Sequence, residues 1–369
     1  MHTIPDALTI RQHRRGLDRT RRAIESGEIT IGFLGGSITD GRAAESWAEP
    51  VIAWFVATFP GLRVTVENAG IGGTGSDSAV FRIDRTILTH DCDLLFIEYA
   101  ANDHDTPSQT RRRTQEGLIR KALAGTGRDV VLAYTFLPSM LDDILAGVVP
   151  STIVEFEELA DHYGLGSVWM GLHALREVQS GALRWEEWLP DGIHPQVRGS
   201  LSYASSVIPL LERELVSDPS PGSVLTGDAR PAPLDPLNWE HAYALPFGDV
   251  DFDGPWTIRR SFTFGIDRAI DTSAVGGELH WRFTGRALSL GWACGFRSAD
   301  FAVRIDDGEW VRHSPTRPEW AEATGWYRTM TLAEHLTPGE HTATLRVLHP
   351  GVDGATGTTM RIGCIGVVP

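Results

Sequence analysis

The hydrophobic period of this chain changes once, and that change limits what the chain can fold into. Over the first two thirds, short apolar runs alternate with amphipathic stretches. The runs are Ile29–Leu34 (ITIGFL), Leu62–Asn68 (LRVTVEN), Asp93–Ala100 (DLLFIEYA), Asp129–Leu137 (DVVLAYTFL) and Gly166–Gly171 (GSVWMG), each bounded by Gly, Asp or Pro. Runs apolar on both phases are what strands buried on both faces of a parallel sheet require. Helix candidates lie between them. After Ser76, the residues Ala79, Val80, Ile83 and Ile87 share one helical face while Arg82 and Arg85 point away. A helix is expected from Ser151 to about Tyr163, and a closing one over Pro195 to Leu215. Strand, helix, strand, helix predicts an α/β fold around a parallel sheet.

Between Pro219 and Pro236 there are five prolines, with Gly222 and Gly227, a composition that marks a linker. Beyond Trp239 the period falls to two. Leu279, Trp281 and Phe283 alternate with His280, Arg282 and Thr284; Phe301, Val303 and Ile305, then Ala343, Leu345 and Val347, repeat the pattern. Asp307–Gly308 is a turn signal. Short alternating strands with turns between them predict a β-sandwich. The expected organisation is an α/β domain over 1–218, a linker over 219–237 and an all-β sandwich over 238–369.

Composition removes several classes of function. The 369 residues carry a net charge of −15, against nucleic acid or an anionic membrane surface as the main partner. No apolar stretch reaches the ~20 residues of a membrane span, and the first thirty residues hold basic pairs without an apolar signal-like core. With Cys92, Cys294 and Cys364 the only cysteines, a disulfide framework is not expected, and a reducing, cytoplasmic compartment is. Lys121 is the one lysine among 33 basic residues, which leaves little room for lysine-based covalent chemistry.

Four short segments carry chemical potential. Gly35–Gly36–Ser37–Ile38–Thr39–Asp40–Gly41 follows the first strand run, where glycines flanking a serine allow a sharp turn that exposes the hydroxyl at a sheet edge; alternatively Ser37 caps a helix. The segment lacks the Gly-Lys-Ser/Thr of a phosphate loop and is not GxGxxG. Asn68–Ala69–Gly70–Ile71–Gly72–Gly73–Thr74 follows the second run, a flexible loop or a place of close backbone approach. In Tyr99–Ala100–Ala101–Asn102–Asp103, Asn102 is either a turn former or an amide aimed into a site. Asp191–Gly192–Ile193–His194–Pro195 places Asp and His three apart where a helix is expected to begin. His90, Asp91, Cys92 and Asp93 lack helical metal-ligand spacing and read as a solvated loop.

Taken in order, GGSITDG, NAGIGGTG, AANDHD and DGIHP resemble the Ser, Gly, Asn and His blocks of the SGNH hydrolases, the GDSL esterase/lipase family, over roughly residues 20 to 215. The third block departs from the usual Gly-x-Asn-Asp by having Ala100, and the first reads Gly-Gly-Ser-Ile rather than Gly-Asp-Ser-Leu. The resemblance implies a flavodoxin-like three-layer sandwich. It implies Ser37 as nucleophile, His194 as base and Asp191 as its orienting partner, with the Ser37 N–H, the Gly73 N–H and the Asn102 amide as oxyanion donors. Neither cofactor nor metal is implied. The chemistry would be acylation of Ser37 by an ester, then hydrolysis by water.

The family takes many esters, so the substrate has to be read from the rest of the chain. No long apolar lid and no lipid-lying amphipathic helix is evident. Trp185 and Trp188, shortly before Asp191, and His104 are candidate substrate contacts, with core packing the other reading of the tryptophans. The C-terminal region holds Trp239, Trp256, Trp281, Trp292, Trp310, Trp320 and Trp326 and resembles jelly-roll modules that accompany carbohydrate-active enzymes. Trp281 and Trp292 are expected in the core; Trp310, Trp320 and Trp326, in turn-rich stretches, are freer to touch a ligand. The expected function is a serine esterase removing a short acyl group, foremost O-acetyl from a small acetylated saccharide. A short-chain acyl or thioesterase, or a carbohydrate-binding protein with an inactive hydrolase half, are the alternatives. Self-association through the sandwich into a homo-oligomer stays open.

Overall fold

The computed structural model describes residues 4–41, 45–125, 127–217, 230–317, 320–321, 325–351 and 356–369. The chain forms two units: Met1–Ala79 with Ile83–Glu240, and Val80–Arg82 with His241–Pro369.

The first unit is built on strands β1 (Arg11–Gln12), β2 (Glu28–Gly35), β3 (Arg63–Asn68), β4 (Leu94–Glu98), β5 (Asp129–Tyr134) and β6 (Gly166–Trp169). They lie in the order β1-β6-β5-β4-β2-β3, with β2 to β6 parallel. Among the parallel strands this is the 2-1-3-4-5 order of a flavodoxin-like sheet. The sequence pattern missed β1, whose two residues add antiparallel to the β6 edge. So short a strand carries no readable period. Helices Ala48–Thr58, Met170–Ser180 and Val197–Leu211 pack together, and Ser76–Ala79, Ile83–Thr86, Ser108–Ala122 and Ser151–Tyr163 form a second group. The core centres on the strand run: Phe33 stacks on Phe96 at 5.2 Å, and Trp47 meets both rings edge-on.

Two helix expectations need correction. Ala79, Val80, Ile83 and Ile87 are buried as the spacing demands, yet two short helices, Ser76–Ala79 and Ile83–Thr86, stand where one was expected, with Val80 and Ile87 just beyond their ends. Arg82, expected to point away, is buried. The closing helix runs Val197–Leu211 and ends in a wider turn over Glu212–Val216.

Of the expected linker, residues 219–229 lie outside the described residues. Residues 230–240 are not a free spacer: they lie along the helix Ser108–Ala122. Arg120 Nη1 donates to the Pro231 carbonyl at 2.8 Å, and Glu116 accepts the backbone N–H groups of Leu234 and Asp235. Trp239, expected in the sandwich, is buried in the first unit with its N–H on the Arg113 carbonyl at 3.1 Å.

The second unit adds β7 (Tyr243–Ala244), β8 (Val250–Asp253), β9 (Thr257–Arg260), β10 (Arg268–Thr272), β11 (Glu278–Gly285), β12 (Ala287–Cys294), β13 (Asp300–Ile305), β14 (Val311–His313), β15 (Trp326–Ala333), β16 (Gly339–Leu348) and β17 (Met360–Val368). They form a six-stranded sheet, β15-β12-β17-β10-β9 with β7 on β17, and a five-stranded sheet, β14-β13-β16-β11-β8, with antiparallel pairing throughout. The inward phases are those the period-two pattern picks out. Leu279, Trp281, Phe283, Trp292, Phe301, Val303, Leu345 and Val347 share one buried core. Trp326 lies in β15 rather than a turn, with the exposed Trp320 ring 4.6 Å from it. Trp310 sits under two guanidinium groups, Arg304 at 5.0 Å and Arg346 at 4.4 Å.

Candidate active site

The order of the parallel strands reverses between β2 and β4, and loops leaving such neighbours diverge to open a crevice at the carboxyl edge of the sheet. Ser37 follows β2 and Asn102 follows β4, so these two side chains enter the crevice from adjacent strands.

Ser37 is the first residue of a one-turn helix, Ser37–Asp40, closed by Gly41 at φ 72°. Gly36 before it makes a requirement visible. A Cβ there would lie 2.0 Å from Asn102 Oδ1, so the amide rests directly over the glycine backbone. The loop after β3 continues beside β2, with Ala69 N–H on the Phe33 carbonyl (2.8 Å) and Ile71 N–H on that of Gly35 (3.0 Å). Asn68 Nδ2 donates to the Thr39 carbonyl at 2.9 Å, tying this loop to the serine helix. Gly72 passes beside Ser37: a Cβ on it would stand 3.4 Å from Ser37 Cβ. Gly73, next in line, has φ 71° and is solvent-facing.

Asp191 and His194 arrive on the turn before the helix Val197–Leu211. His194 Nε2 is 2.8 Å from Ser37 Oγ, and His194 Nδ1 is 2.7 Å from Asp191 Oδ2. An ionised carboxylate only accepts, so Nδ1 carries the hydrogen and Nε2 presents its lone pair to the serine hydroxyl. Asp191 Oδ1 also accepts the backbone N–H groups of His194 (2.7 Å) and Ile193 (2.9 Å). Partial burial works against the charged form of Asp191, but the bonds from His194 and Ile193 outweigh it and hold the carboxyl below its ordinary range.

The structure thus brings Ser37, Asp191 and His194 into one hydrogen-bonded line and sets Asn102 and the Gly72–Gly73 loop beside Ser37. The other candidates fare differently. Trp188 is fully buried, 4.9 Å from the Phe136 ring and 6.2 Å from Tyr203, so it offers a substrate nothing. Its work is to anchor the turn, because its carbonyl accepts the N–H of Gln196. Trp185 is half-buried, its ring against those of Phe136 and Trp188. His104 stays on the Asn102 loop with Nε2 3.3 Å from Ser139 Oγ.

Sequence reasoning passed over the carboxyl groups beneath these loops. Asp103 is buried and accepts Ser76 N–H (2.8 Å) and Gln115 Nε2–H (3.0 Å), holding the end of the Gly73 loop. Glu98 is buried below Ser37 and bonds Thr39 and Thr135. Burial pushes both up to about 7. A glutamate closing the otherwise apolar run LLFIE was the signal available.

Residues 33–200 match the GDSL-like lipase/acylhydrolase family. Two solved structures resemble the whole chain. One, a two-domain esterase (CEX) active on acetylated mannans and co-crystallised with mannopentaose, is 24% identical with a TM-score of 0.79. The other, a two-domain esterase (CEX) active on acetylated mannans, is 23% identical with a TM-score of 0.81. In both cases the alignment covers 96% of each chain, and at this identity the likeness speaks for the two-domain fold. No curated protein matches the chain. The stretch that matches the GDSL-like lipase/acylhydrolase family takes in both the serine loop at the β2–β4 crevice and the Asp191–His194 turn.

Proposed function

We propose that this protein is a serine esterase that removes O-acetyl groups from a saccharide. The observation that carries the reading is the Ser37–His194–Asp191 line, with 2.8 Å and 2.7 Å between its heteroatoms. A serine hydroxyl is a weak nucleophile at neutral pH and needs a base within hydrogen-bond reach. His194 Nε2 takes the Ser37 proton as Oγ attacks the ester carbonyl, and later gives it to the departing sugar hydroxyl. Asp191 holds the ring in the tautomer that leaves Nε2 free, and it stabilises the imidazolium that forms. The carbonyl oxygen becomes an oxyanion during attack. The Ser37 N–H, the Gly73 N–H and Asn102 Nδ2 are the donors we assign to it, each on a different loop of the crevice. Water then repeats the sequence on the acyl-Ser37 ester and releases acetate.

An acetylated saccharide is favoured because the two structures similar over the whole chain are described as active on acetylated mannans. Trp185, half-buried and nine residues before His194 in the chain, is the one of the two tryptophans with surface left for a sugar. The free, buried cysteines fit the reducing cytoplasm we take as its compartment. The test is acetate release from acetylated mannan oligosaccharides, with p-nitrophenyl acetate, butyrate and octanoate alongside, by wild type and Ser37→Ala. Ser37-dependent turnover that falls with chain length and is fastest on the oligosaccharide is expected. Turnover rising toward octanoate would replace the saccharide with a longer acyl ester. Equal turnover by Ser37→Ala would refute the nucleophile.

A further inference from the structure

Glu98 ends β4 and has no exposed surface. A buried carboxyl usually meets an arginine or lysine; here its hydrogen-bond partners among the described residues are three neutral donors. Thr39 Oγ1 donates to Oε2 at 3.0 Å, Thr135 Oγ1 donates to Oε1 at 2.8 Å, and the Gly36 N–H is the third. Thr39 Oγ1 also accepts from Trp47 Nε1 at 3.1 Å, so its own hydrogen is committed to the carboxylate. Two of the three donors bracket Ser37 in sequence. Gly36 is also the residue on which the Asn102 amide rests.

We propose that Glu98 is the positioning residue of this site: by accepting from Gly36 and Thr39 together, its carboxylate fixes the pitch of the backbone that presents Ser37 and supports Asn102. The inference rests on the esterase reading above. It follows from donor counting. An ionised carboxylate accepts all three bonds, whereas a carboxylic acid carries a donor of its own and must turn it toward one of the three. The hydrogen turns most readily to Thr135, whose hydroxyl can accept, and the two bonds that lead to Ser37 then have a neutral acceptor and weaken. Burial without a countercharge pushes Glu98 up to about 7, so this change of state falls inside the working range. The titratable groups facing Glu98 are the buried Asp103 carboxyl, whose charge opposes its ionisation, and the Tyr203 phenol; neither supplies a cation.

The test uses Glu98→Gln, which keeps the shape but cannot accept at both ends. The readouts are kcat and KM for p-nitrophenyl acetate from pH 5 to 9, the rate of Ser37 labelling by diisopropyl fluorophosphate, and Tm. The variant is expected to keep its KM within about twofold and to lose about tenfold or more in kcat and in labelling rate, as slight misplacement of a nucleophile does. The acid limb of its kcat profile loses one ionisation and becomes less steep than that of the wild type. Thr135→Val tests the same idea from the side away from Ser37. Removing that donor disfavours the carboxylate, so the limb moves up by about half a pH unit or more. This second variant carries the test if Glu98→Gln does not fold. An unchanged kcat and limb in both variants would overturn the inference, and so would a Glu98→Gln protein that folds yet loses kcat, KM and Tm together. Absence of Ser37-dependent turnover and labelling in the wild type would instead overturn the esterase reading, and the inference with it.

Discussion

Gly36→Ala isolates the oxyanion side of the site. The glycine has φ −87° and ψ −151°, which any residue can adopt, so alanine brings no backbone penalty of its own. What it brings is a methyl group 2.0 Å from Asn102 Oδ1, 2.7 Å from Cγ and 2.9 Å from Nδ2. Ordinary contact begins near 3.4 Å. The amide must therefore move by more than an ångström, or the Gly36–Ser37 backbone must back away from it. Either shift takes one donor out of line with the oxyanion, and losing one such donor costs about 10²- to 10³-fold in kcat. The stability cost is that of local overpacking at the end of a strand, about 1–3 kcal/mol. The assay is steady-state hydrolysis of p-nitrophenyl acetate by Gly36→Ala, Asn102→Ala and the double variant. If the methyl acts through the amide, the double variant is no slower than the worse single one, because the clash has nothing left to displace. A Gly36→Ala enzyme with wild-type kcat, or losses that multiply in the double variant, would refute the reasoning.

Asp191→Asn should lower kcat by about 10²- to 10⁴-fold with little change in KM, because the amide no longer fixes the His194 tautomer; steady-state kinetics decides it. Trp188→Ala should cost about 3–5 kcal/mol, the price of emptying a fully buried indole site, read as a lower midpoint in urea unfolding. In the second unit, Asp300 is fully buried and accepts from Ser314, Arg312, Arg317 and the Gly351 N–H, which together outweigh burial and hold its carboxyl below the ordinary range. A lowered folded-state pKa means stability present above the unfolded value and lost as pH falls through the folded one, so this contribution should fade below about pH 4. Asp300→Asn should lose about 3–5 kcal/mol at neutral pH by stranding the buried Arg317. It should also flatten the acid dependence, seen by calorimetry of the full chain at several pH values.

What could be read from the sequence was set by how many residues share each constraint. Four of the parallel strands are short, mostly apolar runs under one requirement, burial on both faces, and they appear at their places; β3 also appears at its place, but as the edge strand of the sheet it alternates exposed and half-buried residues and is not the buried strand expected. The sandwich core follows from period two in the same way. β1 escaped because two residues have no period, and the helix over Ala79–Ile87 was drawn unbroken because periodicity registers the buried face but not a break in the hydrogen-bond ladder. Trp239 and Trp188 mark a different limit: an aromatic residue beside a turn reads the same whether it faces solvent or core, and only the tertiary fold decides. The site divides along the same line. Ser37, Asp191, His194 and Asn102 stand in short segments with distinctive neighbours, and their order along the chain identifies them. Glu98 and Asp103 are legible only as charges where apolar residues belong, and nothing local says what they hold. Apart from the Gln115 amide on Asp103, their partners are backbone N–H groups and hydroxyls 27 to 62 residues away: Ser76 for Asp103, and Gly36, Thr39 and Thr135 for Glu98. A local pattern can therefore announce a nucleophile, while the groups that set its geometry come into view only once the strands are aligned.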